Sequence, residues 1–176
     1  MIEIQLSQNQ VTQVDDEGYE WLSAWNWYVK KQSGGNQGDV FYSVRNEVIG
    51  RRPYRTTVVR MHVEIWEHHN GISVPEGYTV DHIDRNPLNN QYSNLRLATP
   101  AQQQQNKGMS SRNTSGFIGV HLHRQTGKYR AVISVDKKPI HLGLFDDSEE
   151  AARVRDRAAT EYFGEFAVLN FPNGNE

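Results

Sequence analysis

Two adjacent side chains carry the clearest chemical potential in this 176-residue chain. Asp81 and His82 stand at the end of a short apolar run and are followed by Ile83 and Asp84. A carboxylate and an imidazole side by side, with amide oxygens close by, suit a hard, oxygen-ligated cation with a base next to it. The stretch Arg85-Asn86-Pro87-Leu88-Asn89-Asn90 that follows is forced into turns by its Pro and Asn residues. Asn94 then stands twelve residues after His82, in Ser93-Asn94-Leu95. Thr99-Pro100-Ala101-Gln102 fits a capping box with proline at the first helical position, so a helix is expected from Thr99 to Asn106, ended by Gly108. Strand, loop, strand and helix folded tightly together would gather Asp81, His82, Asn94 and one face of that helix into a small polar cluster.

The pattern resembles the HNH nucleases, in particular the phage and intron homing-endonuclease branch. The match runs through Asp81-His82-Ile83-Asp84-Arg85-Asn86, Asn89-Asn90, Asn94-Leu95, Ala98-Thr99 and Gln102 to Asn106, and the core pattern covers about residues 62–107. The resemblance implies that His82 is the general base, that Asp81 ligates one divalent metal, Mg²⁺ or Mn²⁺, and that Asn94 orients the base. This chain departs from the family at the second metal ligand. The usual asparagine, nine residues after the middle one, is Gln103 here, and Asn106 follows three residues later on the same helical face. Either amide oxygen remains a candidate.

The elements that must hold this cluster are short. Ile2, Ile4 and Leu6 alternate with polar residues and read as a strand, and Asp15-Asp16-Glu17 opens a helix whose acids suit its N-terminal dipole. Trp25 to Val29, Phe41 to Arg45 and Thr56 to Val59 read as strands, the first two separated by the Gly-rich loop Ser33 to Asp39. Their aromatics are expected to pack inside this small β-rich support. His62 to His69 is a short amphipathic helix with no His-Glu-x-x-His pattern, so His62 is read as packed and His68 and His69 as solvated. Arg51, Arg52, Arg55 and Arg60 are candidates for DNA backbone contacts.

Composition narrows the class. At 36% hydrophobic residues the cores must be modest, no stretch approaches the roughly 18 apolar residues of a membrane span, and the N-terminus carries no secretory pattern. Without cysteine there is no disulfide and no Cys-ligated zinc. The net charge of −2 divides unevenly, with −5 in residues 1–29, +4 in 30–115 and −1 in 116–176. The segment holding Asp81 and His82 is therefore the basic one, as a phosphate-contacting surface requires.

After a Ser- and Asn-rich linker at 109–115 the pattern changes. Three alternating runs around Val120, Ala131 and Ile140 predict an antiparallel meander, and Asp147-Ser148-Glu149-Glu150 caps a helix through Phe163, stopped by Gly164. Gly119-Val120, Gly127-Lys128-Tyr129-Arg130-Ala131, Leu142-Gly143-Leu144-Phe145, Glu150-Ala151-Ala152 and Leu169-Asn170-Phe171-Pro172 resemble the plant APETALA-two / ethylene-response-factor DNA-binding domain over about residues 116–172. That family lays the outer face of its sheet in the major groove. By alternation the outer face here carries His121, His123, Arg130, Val132, Ser134 and His141, with Arg124, Lys128, Lys137 and Lys138 adding positive charge on the same side. Several of the plant family's Arg and Trp base-readers are replaced, which leaves the target sequence open.

The combined expectation is an α+β chain. Residues 1–108 hold an N-terminal β-rich support and a small ββα-metal HNH core, and residues 116–172 hold a three-stranded antiparallel sheet packed on one helix. The expected activity is metal-dependent, site-specific cleavage of double-stranded DNA, of the homing or nicking type, leaving a 5′-phosphate and a 3′-hydroxyl. Membranes are not an expected partner, and the expected location is the cytoplasm of a bacterial host carrying a phage-borne gene. The other reading is a non-catalytic DNA-binding regulator with a decayed nuclease core; Gln103 favours it, whereas intact Asp81, His82 and Asn94 oppose it. Oligomeric state, preferred metal and recognition site lie beyond the sequence.

Overall fold

A computed structural model describes residues 1–33, 39–110 and 112–172. Most of the expected Gly-rich loop, residues 34–38, lies outside the described residues, as does Ser111 of the expected linker. The chain divides into two compact units, Met1–Pro100 and Ala101–Glu176.

The first unit opens with β1 (Ile2–Gln5) and β2 (Val11–Val14), paired antiparallel with Ile2 opposite Val14. Strand β2 was not expected from the sequence, because Val-Thr-Gln-Val is too short to declare a period by itself. Helix α1 (Asp16–Leu22) follows, with Asp16 and Glu17 in its first turn. A three-stranded antiparallel sheet comes next, in the order β3 (Tyr28–Ser33), β4 (Asp39–Arg51), β5 (Tyr54–Arg60). Strand β3 begins at Tyr28 rather than at Trp25. A turn after α1 consumes the intervening residues: Trp25 N donates to Leu22 O at 3.1 Å, and the Trp27 indole donates to the same carbonyl at 2.8 Å. Trp27 is thereby buried, whereas Trp25 stays 49% exposed under the guanidinium of Arg45, 4.2 Å from its ring, so the expectation that these aromatics pack inside fails at Trp25.

Helix α2 (Met61–Asn70) ends on left-handed Gly71 and buries Met61, His62, Ile65 and Trp66. It packs against β4, β5 and the two strands that flank the Asp81-His82 motif and its loop, β6 (Thr79–His82) and β7 (Leu95–Ala98). One core joins Ile4, Leu6, Val14, Leu22, Trp27, Val29, Met61, Ile65, Trp66, Val80 and Leu95. At roughly 1.5–3 kcal/mol per fully buried large apolar side chain, this cluster is the main favourable term holding the hairpins and α2 together. The sheets are small, and only their shared core makes them a unit.

The second unit contains α3 (Pro100–Gln105), which begins at the divide, and a sheet ordered β10 (Lys138–Phe145), β9 (Lys128–Val135), β8 (Val120–His123). Helix α4 (Ser148–Phe163) lies on this sheet through Ala151, Ala152, Ala158 and Ala159, whose small side chains let it approach closely. Asp147 caps it by accepting from Glu150 N at 2.9 Å. The buried carboxylate of Asp156 accepts from Asn170 N (2.6 Å), Asn170 Nδ2 (3.0 Å) and Phe171 N (3.0 Å), while Asn170 Oδ1 accepts from Ile118 N at 2.7 Å. The last described residues are thus tied back to the segment leading into β8. The architecture is the expected α+β one, with several small antiparallel sheets and few helices.

Gly119 is the tightest point of the second unit. Its φ is +73°, and a Cβ there would stand 2.5 Å from Val132 O and 2.9 Å from Arg155 Cγ. Val132 N donates to Gly119 O at 2.8 Å, so the two backbones cannot part without losing that bond. Gly119→Ala is expected to destabilise this unit by about 2–4 kcal/mol. Hydrogen exchange of the full chain should show β9 amides exchanging faster while those of α2 keep the wild-type rate.

Candidate active site

Strands β6 and β7 are registered so that Asp81 faces Arg96 and His82 faces Leu95. The Asp81 carboxylate lies 3.5 Å from the Arg96 guanidinium, a cross-strand pair that strand register explains and sequence spacing alone did not indicate. The loop between the strands is knotted by its own polar side chains. Asn94 accepts from Asp84 N at 3.0 Å and donates to Asp84 Oδ1 at 2.9 Å and Asn89 O at 2.8 Å. Asn89 in turn donates to Asp84 Oδ2 at 2.8 Å, and Asn86 N donates to Asp84 Oδ1 at 2.8 Å. Short Asn and Asp side chains bond to nearby backbone in this way, which is why such a sequence makes a defined loop rather than a floppy one.

His82 is the last residue of β6 and only 6% exposed. Its ring is in hydrogen-bond contact with Asn90, whose Oδ1 lies 3.1 Å from His82 Nε2. The resemblance gave the orientation of the base to Asn94; Asn94 acts one step back, through the loop backbone, where its carbonyl also accepts from Ile83 N at 2.9 Å. Asn90 stood in the motif as one of a pair of asparagines, but nothing in the sequence marked which one turned inward.

Two further groups complete the wall. The buried ring of His62, at the start of α2, stands edge-on to His82 with centroids 4.8 Å apart, and Tyr42 lies 5.7 Å from His62. Burial pushes the His62 imidazole well below the ordinary range, and electrostatic interaction with His82 and Arg60 pushes it the same way. Burial also lowers His82, opposed by its hydrogen bond to Asn90 and by the charges of Asp84 and Asp81. The Tyr42 hydroxyl is raised by burial, with Arg60 opposing and Asp81 reinforcing. His68 and His69 are exposed and stack on Trp21 and Tyr92, as expected of histidines outside the chemistry.

Among the described residues no group of three or more His, Asp or Glu side chains gathers around a point that could hold an ion. A cation at Asp81 would therefore take its other ligands from amide oxygens, water and substrate phosphate, the donor set that Mg²⁺ accepts. Gln103 lies in α3 and Asn106 just beyond it, its backbone N–H donating to Gln102 O at 3.0 Å; both belong to the second unit.

The basic candidates fall on two surfaces. Arg51, Arg52 and Arg55 are exposed around the β4–β5 turn, and Arg60 is exposed at the end of β5. In the second unit, register pairs His121 with Arg130, His123 with Lys128, His141 with Val132 and Pro139 with Ser134, which puts these residues on the sheet face away from the buried Val120, Ala131 and Ile133. Arg124, Lys137 and Lys138 are exposed in and beside its turns. Lys128 pairs with Asp146 at 3.0 Å, and His123 bonds Thr126 Oγ1 at 2.9 Å, so these two also brace the meander.

An HNH endonuclease family model matches residues 59–105, which takes in α2, β6, the knotted loop, β7 and α3. The chain is 36% identical over 108 residues to Protein 3.8 of Escherichia phage T7, covering 61% of this chain and 88% of that one. It is 39% identical over 97 residues to the uncharacterized HNH endonuclease L560 of Acanthamoeba polyphaga mimivirus, covering 55% of this chain and 49% of that one. The C-terminal part is similar to plant proteins such as the APETALA2-like protein 2 of Oryza sativa, 48% identical over 63 residues that make up 35% of this chain and 14% of the plant protein. No solved structure matches. A likeness that spans nearly the whole phage protein, together with the model match across the strand, loop and strand that carry His82, shows that the chain belongs to the HNH endonuclease family.

Proposed function

We propose that this nuclease is a metal-dependent, site-specific DNA endonuclease in which His82 is the general base. The observation that carries the reading is the His82 imidazole itself, buried, hydrogen-bonded at one nitrogen to Asn90, and directly following Asp81 in β6. A base near neutrality must be deprotonated to act, and a fixed ring is what general-base geometry needs. His82 removes a proton from water, the oxygen attacks phosphorus, and the bond to the 3′ oxygen breaks. The departing oxygen is protonated, leaving a 3′-hydroxyl and a 5′-phosphate.

HNH nucleases use a divalent metal. Asp81 is the proposed carboxylate ligand, with the amide oxygen of Gln103 or Asn106 as its partner. Bound Mg²⁺ or Mn²⁺ would offset charge on the phosphate and the departing oxygen. Asn94 is a positioning residue that fixes the loop behind His82.

Double-stranded DNA is the proposed substrate, gripped through the outer face of the β8–β10 sheet and through Arg51, Arg52, Arg55 and Arg60. The likeness to plant APETALA-two proteins supports the first surface. Residues 1–108 are proposed as the nuclease part, 109–115 as a linker and 116–172 as the DNA-binding part. The phage relative supports action inside an infected host cell, in homing or nicking. Among the described residues no helix is long and apolar enough to cross a membrane.

A supercoiled-plasmid nicking assay tests the reading. His82→Ala should lose roughly 10²–10⁴-fold in rate while retaining salt-sensitive DNA binding, and Asp81→Ala should abolish cutting or raise the metal requirement. Cutting by His82→Ala at the wild-type rate would overturn the assignment. Binding without cutting by the wild-type protein in Mg²⁺ and Mn²⁺ would favour the non-catalytic regulator. Because burial lowers the His82 pKa, the neutral base survives further into acid than a free imidazole. The acid limb of kcat/KM should therefore lie below the ordinary histidine value of about 6.5, which a pH–rate profile reads directly.

A further inference from the structure

Asn90 neither touches substrate nor takes a proton in the chemistry just described, yet its side chain is completely buried, as is that of Thr12 on β2. We propose that Asn90 and Thr12 are positioning residues that hold His82 as its Nε2–H tautomer and thereby put the basic lone pair on Nδ1. This deepens the nuclease reading and rests on His82 acting as the base.

The direction of the hydrogen-bond chain is set where only an acceptor can stand. Thr12 Oγ1 is 2.8 Å from the carbonyl oxygen of Leu88, and a carbonyl cannot donate, so the hydroxyl proton must go there. The Met61 sulfur, at 3.9 Å, is a weaker acceptor for that proton. With its proton committed, Thr12 Oγ1 has only lone pairs to offer the Asn90 amide 2.7 Å away, so the amide presents Nδ2 on that side. The Pro87 carbonyl, 3.3 Å from the same nitrogen, demands the same orientation, and Ser43 Oγ at 3.4 Å can accept there too. Turning the amide over would set oxygen against oxygen at Pro87 and leave the Thr12 hydroxyl choosing between two acceptors. Asn90 Oδ1 is therefore the atom facing His82, and the nitrogen opposite it, Nε2, must carry the proton. Neutral imidazole has one N–H, so Nδ1 holds the lone pair. The chain runs from a strand near the N-terminus, across the knotted loop, to the base. In other nucleases the same task could fall to any fixed acceptor; here the acceptor is a side chain that depends on a second side chain 78 residues away.

The tautomer can be read without cutting any DNA. Two-bond proton–nitrogen spectra of the full chain at neutral pH, with the His82 signals assigned by their loss in His82→Ala, should show a protonated Nε2 and an unprotonated Nδ1. Thr12→Ser, which keeps the hydroxyl, should preserve that pattern. Thr12→Val and Asn90→Leu should move the two nitrogen shifts toward each other as the tautomers mix, and should lower kcat for nicking by about tenfold or more with KM for DNA unchanged. A wild-type Nδ1–H pattern, or an Asn90→Leu spectrum identical to wild type, would overturn the proposal. Should Asn90→Leu fail to fold, the wild-type spectrum and the Thr12 pair still decide it. Tautomer mixing with no change in kcat would overturn the part played in catalysis and would count against His82 as base, whereas the predicted spectra in a protein that never cuts would leave the positioning intact and remove the nuclease mechanism.

Discussion

The first unit hangs on one buried amide. Asn90 satisfies both polar atoms of its side chain inside the protein, toward Thr12, Ser43, Pro87 and His82, and these partners come from four different stretches of chain. A buried polar group left without partners costs about 1–3 kcal/mol, so the network tolerates only one arrangement of the N-terminal hairpin, β4 and the loop. Backbone bonds reinforce it: Gln13 N donates to Leu88 O at 2.8 Å, and Asn90 N donates to Gln13 O at 2.7 Å. Asp15 adds a third point by accepting from Tyr92 N at 2.6 Å. The N-terminal segment is thus a wall of the site, and the loop cannot be understood apart from it.

Charge is treated differently inside and outside this unit. Arg45 is buried, and its guanidinium is matched to both oxygens of Glu64, at 3.1 Å and 2.7 Å, with Trp25 stacked over it. That pair fastens α2 to β4, and removing either partner would strand a charge in the interior. Beside His82 the carboxylates of Asp81 and Asp84 instead oppose the effect of burial, while the ring packed edge-on against it, His62, is pushed by burial toward its neutral form. The candidate phosphate contacts Arg51, Arg52, Arg55 and Arg60, and Arg124, Arg130, Lys137 and Lys138, are exposed, where they can meet phosphate without paying for desolvation in the folded chain.

The second unit solves a simpler problem with a smaller core. Alanines on α4 bring the helix close to β9, and Gly119 admits the Val132 carbonyl where any side chain would collide. Packing on one face leaves His121, Arg130, Ser134 and His141 exposed on the other, displayed at alternating positions with fixed spacing. Arg155 and Asp156, midway along α4, then tie down the segment that follows the helix, Arg155 bonding the Val168 carbonyl and Asp156 holding Asn170 and Phe171. The open face is a consequence of where the apolar residues sit.

Sequence by itself determined what is local. Periodicity placed α2, the meander and α4, the acids and capping residues placed helix starts, and the Asp81-His82 motif with its spaced asparagines pointed to the family. These features are legible because turn chemistry, capping and side-chain alternation act over a few residues. Tertiary structure alone decided that β2 exists as the partner of β1, that Trp25 stays outside while Trp27 goes in, and that Asp81 faces Arg96. It also chose Asn90 over its neighbours as the group touching His82. Asparagine reads the same in a chain whether it will cap a turn, shape a loop or hold an imidazole. Which of these it does depends on what distant strand supplies the opposing donors and acceptors, and that information exists only once the strands have met.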